Sequence, residues 1–385
     1  MKPLRVGLFI QHFPPYIGGA EVQAKLLAEE LARHGHQVEI ATTRFRKGLD
    51  SRSTLGGAAI WRFPTVRIRW LKLPVNLLLG CVAGLQLGRR VDIFHAHCLS
   101  PFSLGAMIAA KLLHRPILVK ICSVGDKGDI ARIRGFGPGG LLWAGFRCFD
   151  LFVAPTAAVA REVIDNGVEA DRVALIPSLF AAQDPSPSGG SRCESRQQLG
   201  LPDKTTLVFV GRLDKGKGLL ALMVVWPVLA REHDIQLLLV GDGPMRAEIA
   251  AWRTANKLED SVNLAGWQPD PNPWYEASDI LVFPSHSESF GNVIVEAMAH
   301  GLAVASTRVG VIQDWPENAP VSVIDIARPD RFIATLAALV ENEAERIRQG
   351  NEAAEFIRGR YGAAVIMEKF LDQYRRLMEG TRPAA

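Results

Sequence analysis

The sequence has few cysteines and no long apolar run, and both absences limit what the protein can be. The five cysteines are odd in number and scattered, without a C-x-x-C pair. We therefore expect reduced thiols in a cytosolic setting, with no disulfide framework and no zinc site. No run approaches the roughly 20 apolar residues that a membrane-spanning helix needs. The apolar stretch in MKPLRVGLFIQHFPP is too short for a signal peptide and predicts a first strand.

Two binding motifs are also missing. No segment has the basic–aromatic pattern of a nucleic-acid-binding module, so we expect no nucleic-acid partner. The first glycine loop lacks G-x-G-x-x-G, which disfavours a nicotinamide-dependent enzyme. The 385 residues, 48% hydrophobic and 22% charged, instead indicate an ordinary soluble protein of two or three domains. Residues 1–180 carry a net charge of +10 and the remainder −6, an asymmetry that bears on binding partners.

Short apolar segments alternate with helical patterns through the first half of the chain. The predicted strands cover residues 5–11, 38–42, 91–96, 117–122, 151–156 and 173–177. This alternation predicts an α/β fold with a doubly wound parallel sheet, whose functional groups follow the carboxyl ends of the strands. The residues that this rule selects are His12, His95, His97, Ser100, Cys122, Ser123 and Asp126. A metal site at His95 and His97 lacks further ligands nearby, so we expect one packed and one pocket-lining histidine.

A glycine pair, Gly18 and Gly19, follows the first strand and precedes a helix that ends near Gly35. A strand, glycine loop, helix and second strand in this order occur in nucleotide-binding α/β folds. The pair is equally compatible with a simple tight turn, and these residues alone leave both interpretations open.

The clearest functional pattern is the segment 281–302, LVFPSHSESFGNVIVEAMAHGL. Its apolar start predicts a buried strand, its polar turn carries Glu288, and the helix that follows carries Glu296. The amides at the helix start are those of Phe290, Gly291, Asn292 and Val293. Free N–H groups at a helix start bind anions such as a diphosphate, and a carboxylate on either side would hold a sugar and a ribose. The alternative is a helix-start carboxylate and an unrelated solvated glutamate.

Two cations follow the predicted strand at 206–210. Arg212 and Lys217 bracket a glycine-bearing turn, Gly-Arg-Leu-Asp-Lys-Gly-Lys-Gly. Fixed cations at such a turn suit a diphosphate, whose negative charge rises as a sugar departs. The alternative is a solvated basic loop. A further strand at 235–240 leads into a second glycine turn at Gly241.

The motif ESFGNVIVEAMAHG, with Glu288 and Glu296 at an E-x7-E spacing, resembles that of the retaining glycosyltransferases of family 4, which have the GT-B fold. The resemblance covers most of the chain and is strongest from about residue 205 to 310. It implies two Rossmann-like domains whose parallel sheets face a central cleft. It also implies that Glu288 contacts the donor sugar and Glu296 the ribose, and that Arg212 and Lys217 stabilise the leaving diphosphate.

The resemblance assigns further roles. Gly18 and Gly19 would approach the donor diphosphate from the opposite domain, and Gly241 would lie near the nucleotide. Trp267 and Trp274 would lie near the base or, alternatively, in the core. The implied domains are an acceptor-binding domain at 1–180, a linker at 181–205, a nucleotide-sugar-binding domain at 206–362, and a last helix at 363–385 that crosses back to the first domain.

The sequence departs from the family pattern twice. After the fourth strand, many members carry a histidine near the donor sugar, where this chain has Ile-Cys-Ser-Val-Gly-Asp at 121–126. His97, Ser123 and Asp126 are candidates for this side of the site, and the choice between His97 and Asp126 as a substitute stays open. The usual Ile-Pro-Asn-Gly before the domain crossover is Ile-Pro-Ser-Leu at 176–179.

These expectations predict a retaining glycosyltransferase that moves a sugar from a nucleotide-diphosphate sugar to a hydroxyl of a glycan or lipid-linked acceptor, in cell-surface glycan or glycolipid biosynthesis. No D-x-D loop stands in a suitable place, and protein cations would substitute for a metal. We therefore expect neither a metal nor a cofactor. Two alternatives stay open: a GT-B epimerase or phosphorylase, and a non-catalytic subunit that binds sugar nucleotides.

Two segments of the first half interleave basic and aromatic residues. Segments 61–88 and 132–147 contain Arg62, Arg67, Arg69, Lys72, Arg132, Arg134 and Arg147 among Trp61, Phe63, Trp70, Phe136, Trp143 and Phe146. Such segments suit an anionic membrane face, and the positive charge of this half favours peripheral binding at the inner face of the plasma membrane. The alternative is that the apolar residues are core and the cations a solvated rim.

Overall fold

The computed structural model describes residues 3–15, 18–46, 48–66, 68, 71–126, 128–135, 139–180 and 192–380. The chain divides into two compact units, each built around its own sheet. Unit 1 comprises Met1–Ala181 and Ala363–Ala385, and unit 2 is the intervening segment Ala182–Gly362. The predicted class, two α/β domains with parallel sheets, is confirmed.

Unit 1 is built on an eight-stranded sheet. Its strands are β1 (Arg5–Ile10), β2 (Gln37–Arg44), β3 (Arg52–Leu55), β4 (Ala58–Pro64), β5 (Ile93–His97), β6 (Ile117–Lys120), β7 (Leu151–Ala154) and β8 (Val173–Leu175). Its helices are α1 (Gly19–Arg33), α2 (Lys72–Leu87), α3 (Pro101–Leu112), α4 (Asp129–Arg134), α5 (Gly139–Phe146), α6 (Ala157–Asp165) and α14 (Ala363–Met378). The strand order is β3-β4-β2-β1-β5-β6-β7-β8, with β3 antiparallel to β4 and the other pairs parallel.

Strands β1 and β5 lie side by side at the centre of this sheet. Apolar side chains of β1 alternate between two cores: Phe9 packs on the side of α2 and α3, and Leu8 and Ile10 pack on the side of α1 and α14. The chain winds outward in both directions from this pair. The carboxyl ends of β1 and β5 therefore form a switch point, the place where open α/β sheets bind ligands.

Helices α2 and α3 pack unusually closely because glycines face each other across the contact. A side-chain carbon at Gly80 would lie 1.9 Å from the carbonyl oxygen of Phe102, and one at Gly105 would lie 2.0 Å from that of Leu77. Neither position has room for a larger residue, so the two helices are fixed backbone against backbone.

Helix α14 completes the core of unit 1 on the side of α1. Its buried residues recur every three or four positions, as a one-sided helix requires. They are Ile366, Met367, Phe370, Leu371 and Tyr374. All five belong to the same cluster as the buried face of α1, so this core is incomplete without the last helix.

Unit 2 is built on a six-stranded parallel sheet. Its strands are β9 (Thr205–Val210), β10 (Ile235–Val240), β11 (Val262–Gly266), β12 (Ile280–Phe283), β13 (Ala303–Ser306) and β14 (Ser322–Val323). Its helices are α7 (Arg192–Gln198), α8 (Leu219–Glu232), α9 (Arg246–Ala255), α10 (Asn272–Glu276), α11 (Asn292–Ala299), α12 (Pro329–Glu341) and α13 (Glu343–Tyr361). The order β11-β10-β9-β12-β13-β14 places the switch point between β9 and β12.

Part of the predicted linker is folded. Residues 181–191 lie outside the described residues, but α7 falls within the remainder of the predicted range 181–205. Arg196 on α7 is buried and forms ion pairs with Asp279 at 2.5 Å and Asp203 at 2.7 Å. These contacts anchor α7 to the sheet of unit 2, because Asp279 directly precedes β12.

Candidate active site

Two turns meet at the switch point of unit 2. One follows β9 and carries Arg212 and Lys217, and the other follows β12 and carries Glu288. A side-chain carbon at Gly218, whose φ is +69°, would lie 1.8 Å from the carbonyl oxygen of Pro284. The amide of His286 also donates to the carbonyl of Gly216 at 3.0 Å. The two turns are therefore joined through their backbones, which only glycine at position 218 allows.

This junction brings Lys217 and Glu288 into a half-buried ion pair. Lys217 Nζ lies 2.5 Å from Glu288 Oε1, and Ser285 Oγ donates to the same oxygen at 2.8 Å. The side chains of Lys217 and Glu288 are 25% and 13% exposed. Ser285 is fully buried, so it fixes the carboxylate. An ammonium has three donors, and two of those of Lys217 stay available to phosphate oxygens while one contacts Glu288.

Arg212, the other predicted cation, is more exposed than Lys217. Its side chain is 72% exposed and its Nε lies 3.6 Å from a carboxylate oxygen of Asp214. Asp214 itself caps the short 3-10 turn by accepting from the amide of Gly216 at 2.9 Å. Because this pair is long and solvent-screened, the guanidinium can turn to a ligand at little cost.

The start of α11 presents backbone amides beside this ion pair. Gly291 precedes the helix with a φ of +86°, and Phe290 is buried. The carbonyl of Phe290 accepts from the amide of Val311 at 2.8 Å, which holds the turn in place. Within the part of the chain that the structure describes, the amides of residues 290–293 have no acceptor. They are the amides at which the sequence predicts an anion site.

Glu296 lies on α11 and is held by a residue that the sequence did not point to. The hydroxyl of Tyr275, on α10, donates to Glu296 Oε2 at 2.9 Å. Burial raises the pKa of Glu296, while this hydrogen bond lowers it. Burial and the nearby carboxylate raise the pKa of Tyr275 well above its usual value, so Tyr275 stays a donor. Tyr275 stands 21 positions from Glu296 on a different element, and no motif links the two.

Glycines line the carboxyl edge of the sheet next to these turns. Gly241, with a φ of +144°, follows β10, and a side-chain carbon there would lie 1.9 Å from the carbonyl oxygen of Gly211. Gly266 ends β11 with a φ of +73°, and Trp267 after it is 52% exposed. The core interpretation of Trp267 is therefore wrong, whereas Trp274 is half-buried. The Arg246 side chain lies against Gly266, where a side-chain carbon would be 3.0 Å from its Nη1.

The corresponding edge of unit 1 carries two buried histidines. His95 and His97 stack with ring centroids 4.5 Å apart, and the hydroxyl of Tyr374 contacts His95 Nδ1 at 2.7 Å. Both imidazoles are buried, so the expected division into one packed and one pocket-lining histidine is wrong. Burial lowers the pKa of His97 to about 3. Lys120 is also buried, which lowers its pKa to about 8.

The remaining predicted residues of unit 1 are placed as follows. Gly18 precedes α1 in an extended conformation, and Gly19 is the first residue of α1. Ser123 Oγ donates to Asp129 Oδ1 at 2.6 Å, while Asp126 is exposed. Asp129 was not singled out from the sequence, yet it also accepts from the amide of Cys122 at 2.9 Å. It organises the turn where the family histidine is missing.

The two basic–aromatic segments supply part of the core of unit 1. Trp61, Trp143 and Phe146 are buried, in line with the core interpretation. Arg67, Arg69, Trp70 and Phe136 lie outside the described residues. Exposed apolar residues within these segments include Leu78, Val82 and Leu85 on α2 and Leu141 on α5, while Ile108 and Leu112 on α3 lie outside them. Among the residues described, no helix is long and apolar enough to cross a bilayer.

Solved structures of similar fold define the class of protein. HepE from Anabaena, crystallised with UDP and glucose, superposes with a TM-score of 0.79 at 19% identity over 97% of this chain and 99% of its own. The fold is that of the GT-B glycosyltransferases, as predicted. An identity this low shows the fold alone.

Two family models match successive parts of the chain. Glycosyltransferase Family 4 matches residues 17–179, and Glycosyl transferases group 1 matches residues 204–342. Together they cover more than three quarters of the sequence, and the chain belongs to the family 4 glycosyltransferases.

Two characterised relatives are similar over different lengths. A D-inositol 3-phosphate glycosyltransferase from Thermomonospora curvata is 32% identical over 247 residues, which are 58% of this chain and 56% of that protein. The phosphatidylinositol N-acetylglucosaminyltransferase gpi3 subunit of Schizosaccharomyces pombe is 26% identical over 345 residues, 85% of this chain and 71% of that protein. The match to the first thus spans little more than half of its length.

Proposed function

We propose that the protein is a retaining glycosyltransferase that uses a nucleotide-diphosphate sugar. The observation that carries this proposal is the Lys217–Glu288 ion pair at 2.5 Å, held at the switch point beside the amides of α11. A cation, a carboxylate and a helix start in one place match two parts of such a donor. The cation and the helix amides suit its diphosphate, and the carboxylate suits its sugar hydroxyls.

Each residue then has a separate task. Lys217, Arg212 and the amides of residues 290–293 bind the diphosphate and stabilise the charge that grows as it departs. Glu288, fixed by Ser285, accepts hydrogen bonds from hydroxyls of the donor sugar. Glu296, oriented by Tyr275, accepts hydrogen bonds from the ribose. The bond from the anomeric carbon to the diphosphate breaks as the acceptor oxygen bonds to the same face, and the acceptor proton passes to the departing phosphate oxygen.

The acceptor is proposed to bind unit 1 and to carry a hydroxyl-rich, anionic or lipid-linked group. Residues 1–180 have a net charge of +10, which favours anionic acceptors through the field of the whole domain. The names of the inositol-phosphate and phosphatidylinositol relatives are compatible with this choice.

The test is nucleoside diphosphate release with and without acceptor. UDP-glucose, UDP-N-acetylglucosamine and GDP-mannose are first screened by thermal shift, because a ligand that binds only the folded state raises the unfolding temperature. The donor that binds is then incubated with inositol 1-phosphate or phosphatidylinositol vesicles. We expect release that depends on the acceptor and a product with the donor's anomeric configuration. Epimerised donor, or sugar phosphate as product, would instead indicate a GT-B epimerase or phosphorylase. Donor binding with neither turnover nor slow donor hydrolysis would indicate a non-catalytic subunit that binds sugar nucleotides.

We further propose that unit 1 contacts anionic membranes through the outer faces of α2 and α3. Leu78, Val82 and Leu85 recur along α2 at helical spacing, and Ile108 and Leu112 do so on α3. Neither helix contains an acidic residue. The glycine contacts described above fix the two helices together, so these side chains form one rigid apolar face on the half of the chain with a net charge of +10.

Vesicle flotation tests this contact. The changes Leu78→Ser and Val82→Ser together are expected to lower binding to vesicles of phosphatidylglycerol and phosphatidylcholine several-fold, because they remove apolar area from the face. The matched control is Leu220→Ser with Val224→Ser, an exposed apolar pair at the same spacing on α8 of the acidic unit. Protein that stays in the unbound fraction at low salt, or an equal loss in both variants, would contradict the proposal.

A further inference from the structure

Two cysteines at the carboxyl edge of unit 1 take no part in the proposed reaction. Cys98 directly follows β5, and Cys122 lies two residues beyond β6. The two strands pair in parallel, with His97 opposite Lys120, so their ends emerge together. Asp129 opens α4 at the same place. Both sulfur atoms and a carboxylate oxygen of Asp129 lie within 4.8 Å of one another, the one group of three metal-ligating side chains among the residues described.

The spacing of these atoms is close to that of a zinc site. Zinc bonds sulfur at about 2.3 Å and carboxylate oxygen at about 2.0 Å in tetrahedral geometry, which separates its ligand atoms by roughly 3.5 to 3.8 Å. The observed limit of 4.8 Å therefore requires the ligand atoms to approach one another by about 1.0 to 1.3 Å at most. Such a movement lies within the reach of side-chain rotation at a loop.

The surrounding contacts orient two of the three candidate ligands. The amide of Cys122 and the hydroxyl of Ser123 donate to the two oxygens of Asp129, at 2.9 and 2.6 Å. Carboxylate ligands of metals are commonly oriented by hydrogen bonds of this kind. Cys98 has a φ of +64° and its amide donates to the carbonyl of Lys120 at 3.0 Å, which directs its side chain across the strand ends.

The local charges tolerate a dication. Arg132 contacts Asp129, and the buried ammonium of Lys120 lies close enough to interact electrostatically with both thiols. When a zinc ion binds two cysteines, each thiol releases its proton to solvent as its sulfur–metal bond forms. One dication replaces two protons, so the net charge beside Arg132 and Lys120 stays the same.

We propose that Cys98, Cys122 and Asp129 bind one zinc ion, with the fourth position taken by water. The ion would join the ends of β5 and β6 to α4 and fix the turn at 121–129, where the family histidine is absent. The C-x-x-C spacing that usually indicates zinc is missing because the fold, and not the local sequence, brings these cysteines together.

Cobalt(II) is the probe, because it occupies zinc sites and reports its ligands by absorption. The full-length protein, reduced and metal-stripped, is titrated with cobalt chloride and then with zinc chloride. We expect one cobalt per chain, with thiolate-to-cobalt charge transfer and the visible bands of tetrahedral coordination, both displaced by zinc. Cys98→Ser and Cys122→Ser should abolish the bands, and Asp129→Asn should weaken cobalt binding at least tenfold. Zinc should also raise the unfolding temperature of the native protein but not of Cys122→Ser.

Cys148→Ser and Cys193→Ser are the controls, since neither cysteine belongs to the group. Both variants should bind cobalt as the native protein does. Far-ultraviolet circular dichroism checks that every variant is folded. Absence of the bands at stoichiometric cobalt in folded native protein would overturn the proposal. So would equal loss in Cys148→Ser, or a mass lower by two hydrogens that shows Cys98 and Cys122 joined as a disulfide in the protein as isolated.

Discussion

The carboxyl edges of the two sheets differ in charge and exposure. In unit 2 the edge carries the half-buried Lys217–Glu288 pair, the exposed Arg212 and a row of glycines. In unit 1 the edge carries stacked, buried histidines and an ammonium enclosed by side chains. Both sheets wind outward from a central parallel pair, β1 and β5 or β9 and β12, so the difference comes from the residues that follow these strands.

This contrast separates two kinds of contribution. Charges at the edge of unit 2 are exposed enough to meet a ligand, so changes there should alter activity and leave stability nearly intact. Polar groups at the edge of unit 1 are buried, and changes there should alter stability first. The four predictions below test this separation, beginning with the largest effect.

Lys217→Ala should lower kcat by roughly 100- to 1000-fold, as loss of one charge-stabilising donor does in other enzymes. The physical reason is that the leaving diphosphate loses a cation and Glu288 loses its partner. Steady-state kinetics with the donor found by thermal shift is the measurement. Lys215→Ala is the matched control, because Lys215 is exposed on the same short turn. A loss of similar size in the control would contradict the assignment.

Glu296→Ala should weaken binding of both donor and nucleoside diphosphate by roughly 10- to 100-fold, since hydrogen bonds to a charged group contribute about 1.5 to 3 kcal/mol. Glu288→Ala should instead lower kcat and leave nucleoside diphosphate affinity nearly unchanged, because its proposed contact is with the reacting sugar. Calorimetric titration with the nucleoside diphosphate compares the two. Unchanged nucleoside diphosphate affinity in Glu296→Ala would show that Glu296 does not contact the nucleotide.

Acid should destabilise unit 1 through its histidines. Burial lowers the pKa of His97 to about 3, so below the usual histidine value of about 6.5 the unfolded chain binds a proton that the folded unit does not. Stability is fully present above pH ~6.5 and falls by about 1.4 kcal/mol per pH unit per histidine down to the folded pKa. Calorimetry should show a smaller acid-induced fall in unfolding temperature for His97→Gln. His34→Gln, on the surface of α1, should behave as the native protein does.

Tyr275→Phe should have the smallest effect. It should weaken the free energy of nucleotide binding by about 0.5 to 1.5 kcal/mol, which is up to roughly tenfold in affinity. Its hydrogen bond favours the ionised form of Glu296, so its loss raises the pKa of a carboxyl that burial already raises. As the solution is acidified, Tyr275→Phe should therefore lose nucleotide affinity at a higher pH than the native protein does. A pH profile that keeps its position, with lower affinity at every pH, would indicate only a packing defect.

Much of unit 2 could be predicted from sequence because its signals are local. The strand Ile235–Val240 has the predicted bounds, and strand, turn and helix in segment 281–302 occur in the predicted order. Lys217 and Glu288 stand 71 residues apart, yet they meet because each follows a strand at the switch point. The topology rule and the family resemblance together indicated this edge of the sheet.

The rest depended on packing that leaves no local signal. Tyr275 reaches Glu296 only through the three-dimensional arrangement of separate elements, and Asp129 contacts Cys122 across a turn of seven residues with no recognised motif. Helix α13 was not predicted because its buried face includes Arg346 and Gln349 and so lacks a clear apolar period. The antiparallel pair β3 and β4 was also missed, and only the last four residues of β4 fell within the segment predicted to bind a membrane.

The position of α14 has a consequence for how the chain is made. Unit 2 is continuous in sequence, so it can fold as soon as its own residues have left the ribosome. Unit 1 begins first in the sequence, but its core cannot be completed until unit 2 has been synthesised. The five buried residues of α14 come after the whole of unit 2. During that interval the apolar face of α1 is uncovered, and a nascent chain stalled before residue 363 would present it to chaperones.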